Sequence, residues 1–200
     1  LTFDSNFERE NNNKWLSDAS LITSYNKNLN ETYRVSLNSA LQTSKNYIQL
    51  TNPDDDLSYT SSLSSNITLE GFNINKIDDR LKIYSSFYQI NQNNENNKTT
   101  PTVLPAMEYY TGNTIIGNYN TRGAYNLYNI FRDTGTDTLA QNQQKLSHTF
   151  FANREFIKYR SKFTLNSELH NQIFHTENKK IEDNNYYSGG NYRIFPILGA

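Results

Sequence analysis

The sequence predicts an all-β fold, an antiparallel up-and-down transmembrane β-barrel segment of about ten strands belonging to a larger barrel. Three observations predict it. Apolar and polar residues alternate with a two-residue period along most of the chain, as side chains do on the two sides of a strand. The clearest runs, Leu63, Ile67, Leu69 and then Leu81, Ile83, Phe87, each hold that period for about ten residues, near the 9–11 that a tilted strand needs to cross a bilayer. Connections alternate between short and long, the pattern of outer-membrane barrels with tight turns on one side and loops on the other.

Composition narrows the class. Only 35% of the 200 residues are hydrophobic and mean hydropathy is −0.82, against about 45–50% apolar content for soluble domains. Disorder would combine that poverty with high net charge and few aromatics. Here net charge is −1, and 15 Tyr and 11 Phe bring aromatics to 14%. A barrel with a wet interior fits this balance. Even charge offers no field for nucleic acid. The chain has no Cys, so it has neither disulfides nor thiolate metal sites. No apolar run reaches the 18 residues of a transmembrane helix. The alternation already under way at Leu1-Thr2-Phe3 reads as an internal stretch of a longer protein, with no domain boundary inside residues 1–200.

In order, Phe3, Ser5 and Phe7 suggest a first strand and Glu10-Asn11-Asn12-Asn13 a turn; Trp15 to Tyr25 forms the second strand. Tyr33, Val35, Leu37 and Leu41 oppose Arg34, Ser36, Asn38 and Gln42 in the cleanest strand. A long connection, Lys45 to Ser58, precedes the central pair, whose break spans Asn73–Asp79. Asn91 to Thr102 is a second long loop, and Val103 to Tyr110 a strand in which Pro105 suggests a bulge or an unpaired edge. Tyr119–Phe131 and Gln144–Phe156 flank the loop Arg132–Asn142. After a tight connection at Lys158–Ser161, Phe163, Leu165, Leu169 and Ile173 alternate with Thr164, Asn166, Glu168, His170 and Gln172; Thr176–Gly190 reads as a polar loop before a last strand from Tyr192.

Two sets of face residues follow. Ser36, Asn38, Asn66, Thr68, Asn166 and Glu168 are expected to face a wet lumen that carries little charge; Leu37, Ile67, Leu69, Ile83, Phe87, Leu165 and Leu169 are expected to face lipid. Tyrosines near strand ends, such as Tyr25, Tyr33 and Tyr109, suit the membrane interface.

Catalytic and metal chemistry is not suggested. His170 and His175, five apart on one strand, point to opposite faces, so the histidines read as solvated or lumenal rather than as ligands. Asp54-Asp55-Asp56 and Asp78-Asp79 lack spaced oxygen ligands and read as solvated turns. Gly189-Gly190 is a turn signal, and no nucleophile elbow, P-loop or dinucleotide fingerprint occurs. No cofactor and no enzymatic activity are expected. A soluble β-sandwich adhesin with one solvated face remains the alternative outside membranes, and a porin or receptor barrel the alternative within them.

At Asn46-Tyr47-Ile48, Leu69-Glu70-Gly71-Phe72, Pro101-Thr102-Val103-Leu104-Pro105 with Glu108-Tyr109, Gly135-Thr136-Asp137-Thr138 and Arg193-Ile194-Phe195-Pro196, the chain resembles the alphaproteobacterial LptD family. These are the lipopolysaccharide-assembly proteins of the outer membrane, also called organic solvent tolerance proteins. The resemblance covers roughly residues 14–200 and places a strand end near Asn46-Tyr47-Ile48. It implies the middle part of a large barrel in the cell outer membrane. Such a barrel receives lipopolysaccharide from a periplasmic Lpt bridge, holds an LptE-type lipoprotein plug and releases lipid sideways into the outer leaflet.

Overall fold

A computed structural model describes residues 2–9, 15–44, 47–91, 97–136, 138–182 and 185–199, and their side chains from residue 18 onward except those of Asn97 and Glu182. The Asn-rich turn expected at residues 10–13 lies outside this set. The chain folds into one antiparallel sheet in which strands pair in sequence order, an up-and-down meander. The strands are β1 (Thr2–Arg9), β2 (Trp15–Asn28), β3 (Tyr33–Gln42), β4 (Ser62–Phe72), β5 (Arg80–Ile90), β6 (Thr102–Tyr110), β7 (Thr114–Ile116), β8 (Tyr119–Phe131), β9 (Asn142–Lys158), β10 (Ser161–Glu182) and β11 (Asn185–Gly199). Short β7 folds back on β8, outside the main path of ten strands. No helix is long and apolar enough to cross a membrane, which leaves crossing by strands open.

Continuous register fixes the faces, because residues directly opposite across a ladder share one. Leu37 pairs with Ile67 and Leu69 with Ile83; Ile83 pairs with Met107, Met107 with Leu127, Leu127 with Leu146 and Leu146 with Ile173. The adjacent row runs Ser36, Thr68, Tyr84, Ala106, Tyr128, Lys145 and Phe174. One face is therefore apolar from β3 to β10 and the other mostly polar.

Exposure is inverted relative to a soluble sheet. On the polar side Thr68 is 9% and Ala106 0% exposed, while on the apolar side Ile67 is 51% and Ile173 49% exposed. Leu37, Phe87, Leu146, Leu165 and Leu169 are exposed as well. Side chains converge on the inside of a curved sheet and splay on its outside, so the polar face is the concave one. A sandwich would bury these leucines and isoleucines under a second sheet; among the described residues nothing covers them.

The connections sort by end. Residues 29–32, 73–79, 111–118 and 159–160 close one end; residues 43–61, 91–101 and 132–141 span the other. Tyr159 (φ 52°) and Arg160 (φ 62°) make the two-residue left-handed turn that matches strand twist. Pro105 does mark an irregularity, since register slips between Tyr84/Ser86 and again between Val103/Ala106.

Two connections differ from expectation. Residues 176–190 are not a loop: β10 and β11 run on to Glu182 and from Asn185, slipping register past Thr176 and Lys180. Gly189 and Gly190 lie within β11, facing Thr176 and His175. The strand end expected near Asn46-Tyr47-Ile48 is also absent. β3 stops at Gln42, and Tyr47–Thr51 forms a short helix, α1, followed by a 3-10 turn, Asp56–Tyr59, with Asp55 accepting from the Leu57 amide at 2.8 Å.

That helical segment fills a split in the sheet. The β3–β4 ladder ends at Asn38↔Asn66, although both strands continue. Beyond it, Ser65 Oγ accepts from Ala40 N (3.1 Å) and donates to Ala40 O (3.3 Å). The Gln89 carboxamide accepts from Gln42 N (3.1 Å) and donates to Gln42 O (2.7 Å), standing in for a strand peptide. Gln42 Nε2 donates to Asn91 Oδ1 at 2.6 Å while its Oε1 accepts from Ile48 N at 3.1 Å. Ala40, Ile48 and Leu63 close over the gap, with Ile22 and Leu57 beside them, as the molecule's small dry core.

Candidate functional site

The concave polar face is the candidate site. Ser36, Asn38, Asn66, Thr68, Asn166 and Glu168 all lie on it, joined by the pairings Ser36↔Thr68, Asn38↔Asn66, Asn166↔Asn153 and Glu168↔Phe151. Leu37, Ile67, Leu69, Ile83, Phe87, Leu165 and Leu169 lie on the opposite face. Asn38 Nδ2 donates to Asn66 Oδ1 at 3.4 Å, so the carboxamides bridge strands.

The face carries more organised charge than its composition suggests. One registered row reads Arg34, Glu70, Lys82, Glu108, alternating in sign across β3 to β6. Arg34 Nε donates to Glu70 Oε2 at 2.9 Å, and the Lys82 ammonium sits 4.8 Å from the Tyr84 ring centre. Glu108 accepts from the Tyr128 hydroxyl at 2.9 Å and from that of Tyr84 at 3.4 Å. Alternation cancels the net field, leaving a hydrogen-bonding surface without a strong charge preference. Removing Glu108 takes the carboxylate acceptor from two half-buried hydroxyls, those of Tyr84 and Tyr128. We expect Glu108→Ala to destabilise the folded state by about 1–3 kcal/mol, read as a lower urea midpoint in detergent micelles; an unchanged midpoint would show that the clamp contributes nothing.

A second polar cluster occupies β8 to β10. A groove of about 430 Å³ is lined by Asn120, Arg122, Phe151, Asn153, Asn166 and Glu168, among others. Arg122 lies 4.7 Å over the Phe151 ring. His170 bridges Glu168 Oε2 and Thr149 Oγ1, both at 3.0 Å. Asn153 Oδ1 is buried there without a hydrogen-bond partner.

Of the three histidines only His170 is on the polar face. His148 lies on the apolar side, stacked on Tyr125 with ring centres 4.7 Å apart and 3.4 Å from Asn171 Nδ2, and His175 shares that side. Reading all three as solvated or lumenal is therefore corrected for His148, whereas His175 stays open to solvent, its side chain 44% exposed beside Glu177. Tyr125, opposite in register, gave His148 a place that spacing along one strand could not show. Among the described residues no group of His, Asp and Glu could hold a metal ion.

Asp79 also departs from the solvated turn expected of Asp78-Asp79. It is 1% exposed and accepts from the amides of Gly112, Asn75 and Lys76 and from the Tyr109 hydroxyl. Burial pushes its carboxyl up, but the Gly112, Asn75 and Lys76 amides and the Tyr109 hydroxyl together outweigh burial and hold it below the ordinary carboxylate value. This carboxylate ties the turn at residues 73–79 to the turn after β6. Nothing in the local sequence signals it, because the decisive donors arrive from Tyr109 and Gly112.

No family model matches the chain, and no curated protein matches it.

Proposed function

We propose that this chain is a stretch of an outer-membrane β-barrel, its apolar face against hydrocarbon and its concave polar face lining a hydrated passage. The cargo we propose is lipopolysaccharide, inserted into the outer leaflet with a lipoprotein plug and a periplasmic bridge as partners. The observation that carries the barrel reading is the inverted exposure, with Ile67, Phe87, Leu169 and Ile173 presented outward while Thr68 and Ala106 are enclosed. In water such an apolar surface would drive association. In lipid it is the expected arrangement, since strands must satisfy their backbone within the sheet and show hydrocarbon on one side.

The cargo reading rests on the LptD-like motifs and on a face of carboxamides, hydroxyls and self-cancelling charges, which suits hydrated sugars better than a selected ion. Porins of one sign at a constriction differ from the alternating Arg34–Glu70–Lys82–Glu108 row. The mechanism is passage: sugars exchange hydrogen bonds with the concave face while acyl chains stay with lipid.

Photo-crosslinking tests it in cells. A photoreactive residue at Asn66 or Asn166 should capture lipopolysaccharide, and depletion of the protein should stop newly made lipopolysaccharide from reaching the surface. Normal surface display after depletion, with no adduct from either position, would remove lipopolysaccharide as the cargo and leave a solute-passing barrel.

A further inference from the structure

The concave face carries an alternating charge row on β3 to β6 and a cluster of cations without acidic neighbours on β9 to β11. From β3 to β6 Arg34 stands beside Glu70 and Lys82 between Glu70 and Glu108 in register, while Arg80 faces Phe72 and Tyr110. On β9 to β11 Lys145, Lys179 and Arg193 have no acidic neighbour: among the described residues no carboxylate lies within 4.0 Å of them. Glu177, the nearest acid along β10, is committed to Asn142 and His175. Lys145 and Arg193 each lie 5.5 Å from the centre of the same ring, Phe174. Two like charges are thus gathered about one aromatic, at a cost in repulsion that a bound anion would relieve.

Beside that ring is a pocket of about 380 Å³ whose wall includes Lys179, Arg193, Gln143, Asn191 and Thr176. The Gln143 carbonyl oxygen accepts from Arg132 (2.8 Å), leaving its NH2 group as a donor. Thr176 Oγ1 donates to Gly189 O at 3.3 Å. The register shift between Thr176 and Lys179 brings Lys179 opposite Tyr187, onto the same wall as Arg193. The pocket therefore offers a guanidinium fork, an ammonium and amide donors, and among the described residues its wall holds no acid.

We propose that this pocket, between β10 and β11 with Lys145 across the Phe174 ring, binds a phosphate ester. A phosphate brings a charge of about −1.5 to −2 and three acceptor oxygens, and its geometry suits bidentate contact from Arg193. The ester could belong to a lipid headgroup or to a soluble phosphorylated molecule, and the site does not depend on lipopolysaccharide being the cargo.

The full-length protein in phosphatidylcholine nanodiscs tests this in two arms. Inorganic phosphate is titrated and followed by phosphorus NMR line broadening, and phosphatidic acid is doped into the discs and retained adducts are weighed by native mass spectrometry. Saturable binding is expected in at least one arm; the phosphate arm identifies a soluble ester and the lipid arm alone a headgroup. Arg193→Gln and Lys179→Gln should each weaken binding about tenfold. Lys162→Gln, whose lysine is already paired with Glu155 at 2.9 Å, should leave it unchanged. Lys179 sits beyond the register shift on the projecting hairpin, so its variant remains informative if Arg193→Gln fails to assemble. No saturable binding in either arm, or undiminished binding by both variants, would overturn the proposal.

Discussion

Ile67→Arg is expected to abolish assembly of the protein into membranes, whereas Asn66→Arg, one position away, is expected to be tolerated. Ile67 lies midway along β4 on the apolar face, flanked in register by Leu37 and Ser85, and is half exposed. A guanidinium there would be held in hydrocarbon at about 2–4 kcal/mol. Asn66 lies between Asn38 and Ser86 on the polar face, where the same group meets water. On β10, Leu169→Arg makes the stronger variant because Leu169 pairs with Phe150. Leu165 pairs instead with Arg154 close to the tight turn, a depth at which arginine is already accommodated and the penalty falls toward zero. Heat-modifiable gel mobility after insertion into lipid reads both pairs. Equal mobility of Ile67→Arg and Asn66→Arg would remove the assignment of faces.

The second large effect concerns the tie between turns. A Cβ on Gly112 would lie 2.0 Å from the Ile77 carbonyl oxygen, a backbone atom that cannot yield without moving the whole turn. Gly112→Ala should therefore cost on the order of 3 kcal/mol, and Asp79→Ala a similar amount by stranding three amides and a hydroxyl. Both act on one junction, so the double variant should cost less than the two single losses added. The same junction sets a pH dependence. Because the folded carboxyl lies below its ordinary value, its contribution is complete above about pH 4 and is lost as pH falls through the depressed folded value. The urea midpoint of the wild type should drop in that acid range, and that of Asp79→Ala should drop less. Parallel acid profiles would assign the loss to other carboxylates.

Much of the meander was legible because a strand with one apolar face writes its period into a single stretch of chain, as Leu63 to Phe87 do. Turn positions followed from Gly, Pro and Asn clusters. What escaped is non-local or lacks contrast. The outer part of the β10–β11 hairpin, with Lys179 facing Tyr187 and Lys180 facing Tyr186, meets water on both sides, and a strand wet on both faces has no period to show. Helix α1 is five residues long and is held by Gln42 and Leu63, partners that local propensity does not contain. The charge row and the buried Asp79 arise only once register sets distant residues side by side, which no spacing within one strand reveals.

The central claim is that the exposed apolar face meets lipid while the enclosed polar face meets water. Residues 1–200 contain no cysteine, so, with any cysteine elsewhere in the protein replaced by serine, single cysteines bearing nitroxide labels can be placed at Asn66, Ile67, Thr68, Leu69, Gln172 and Ile173 of the membrane-inserted protein. Collision with oxygen dissolved in lipid should peak at Ile67, Leu69 and Ile173, and collision with a water-soluble nickel chelate at Asn66, Thr68 and Gln172. Low accessibility of Ile67, Leu69 and Ile173 to both reagents would mean that a protein layer covers them, and would contradict the account.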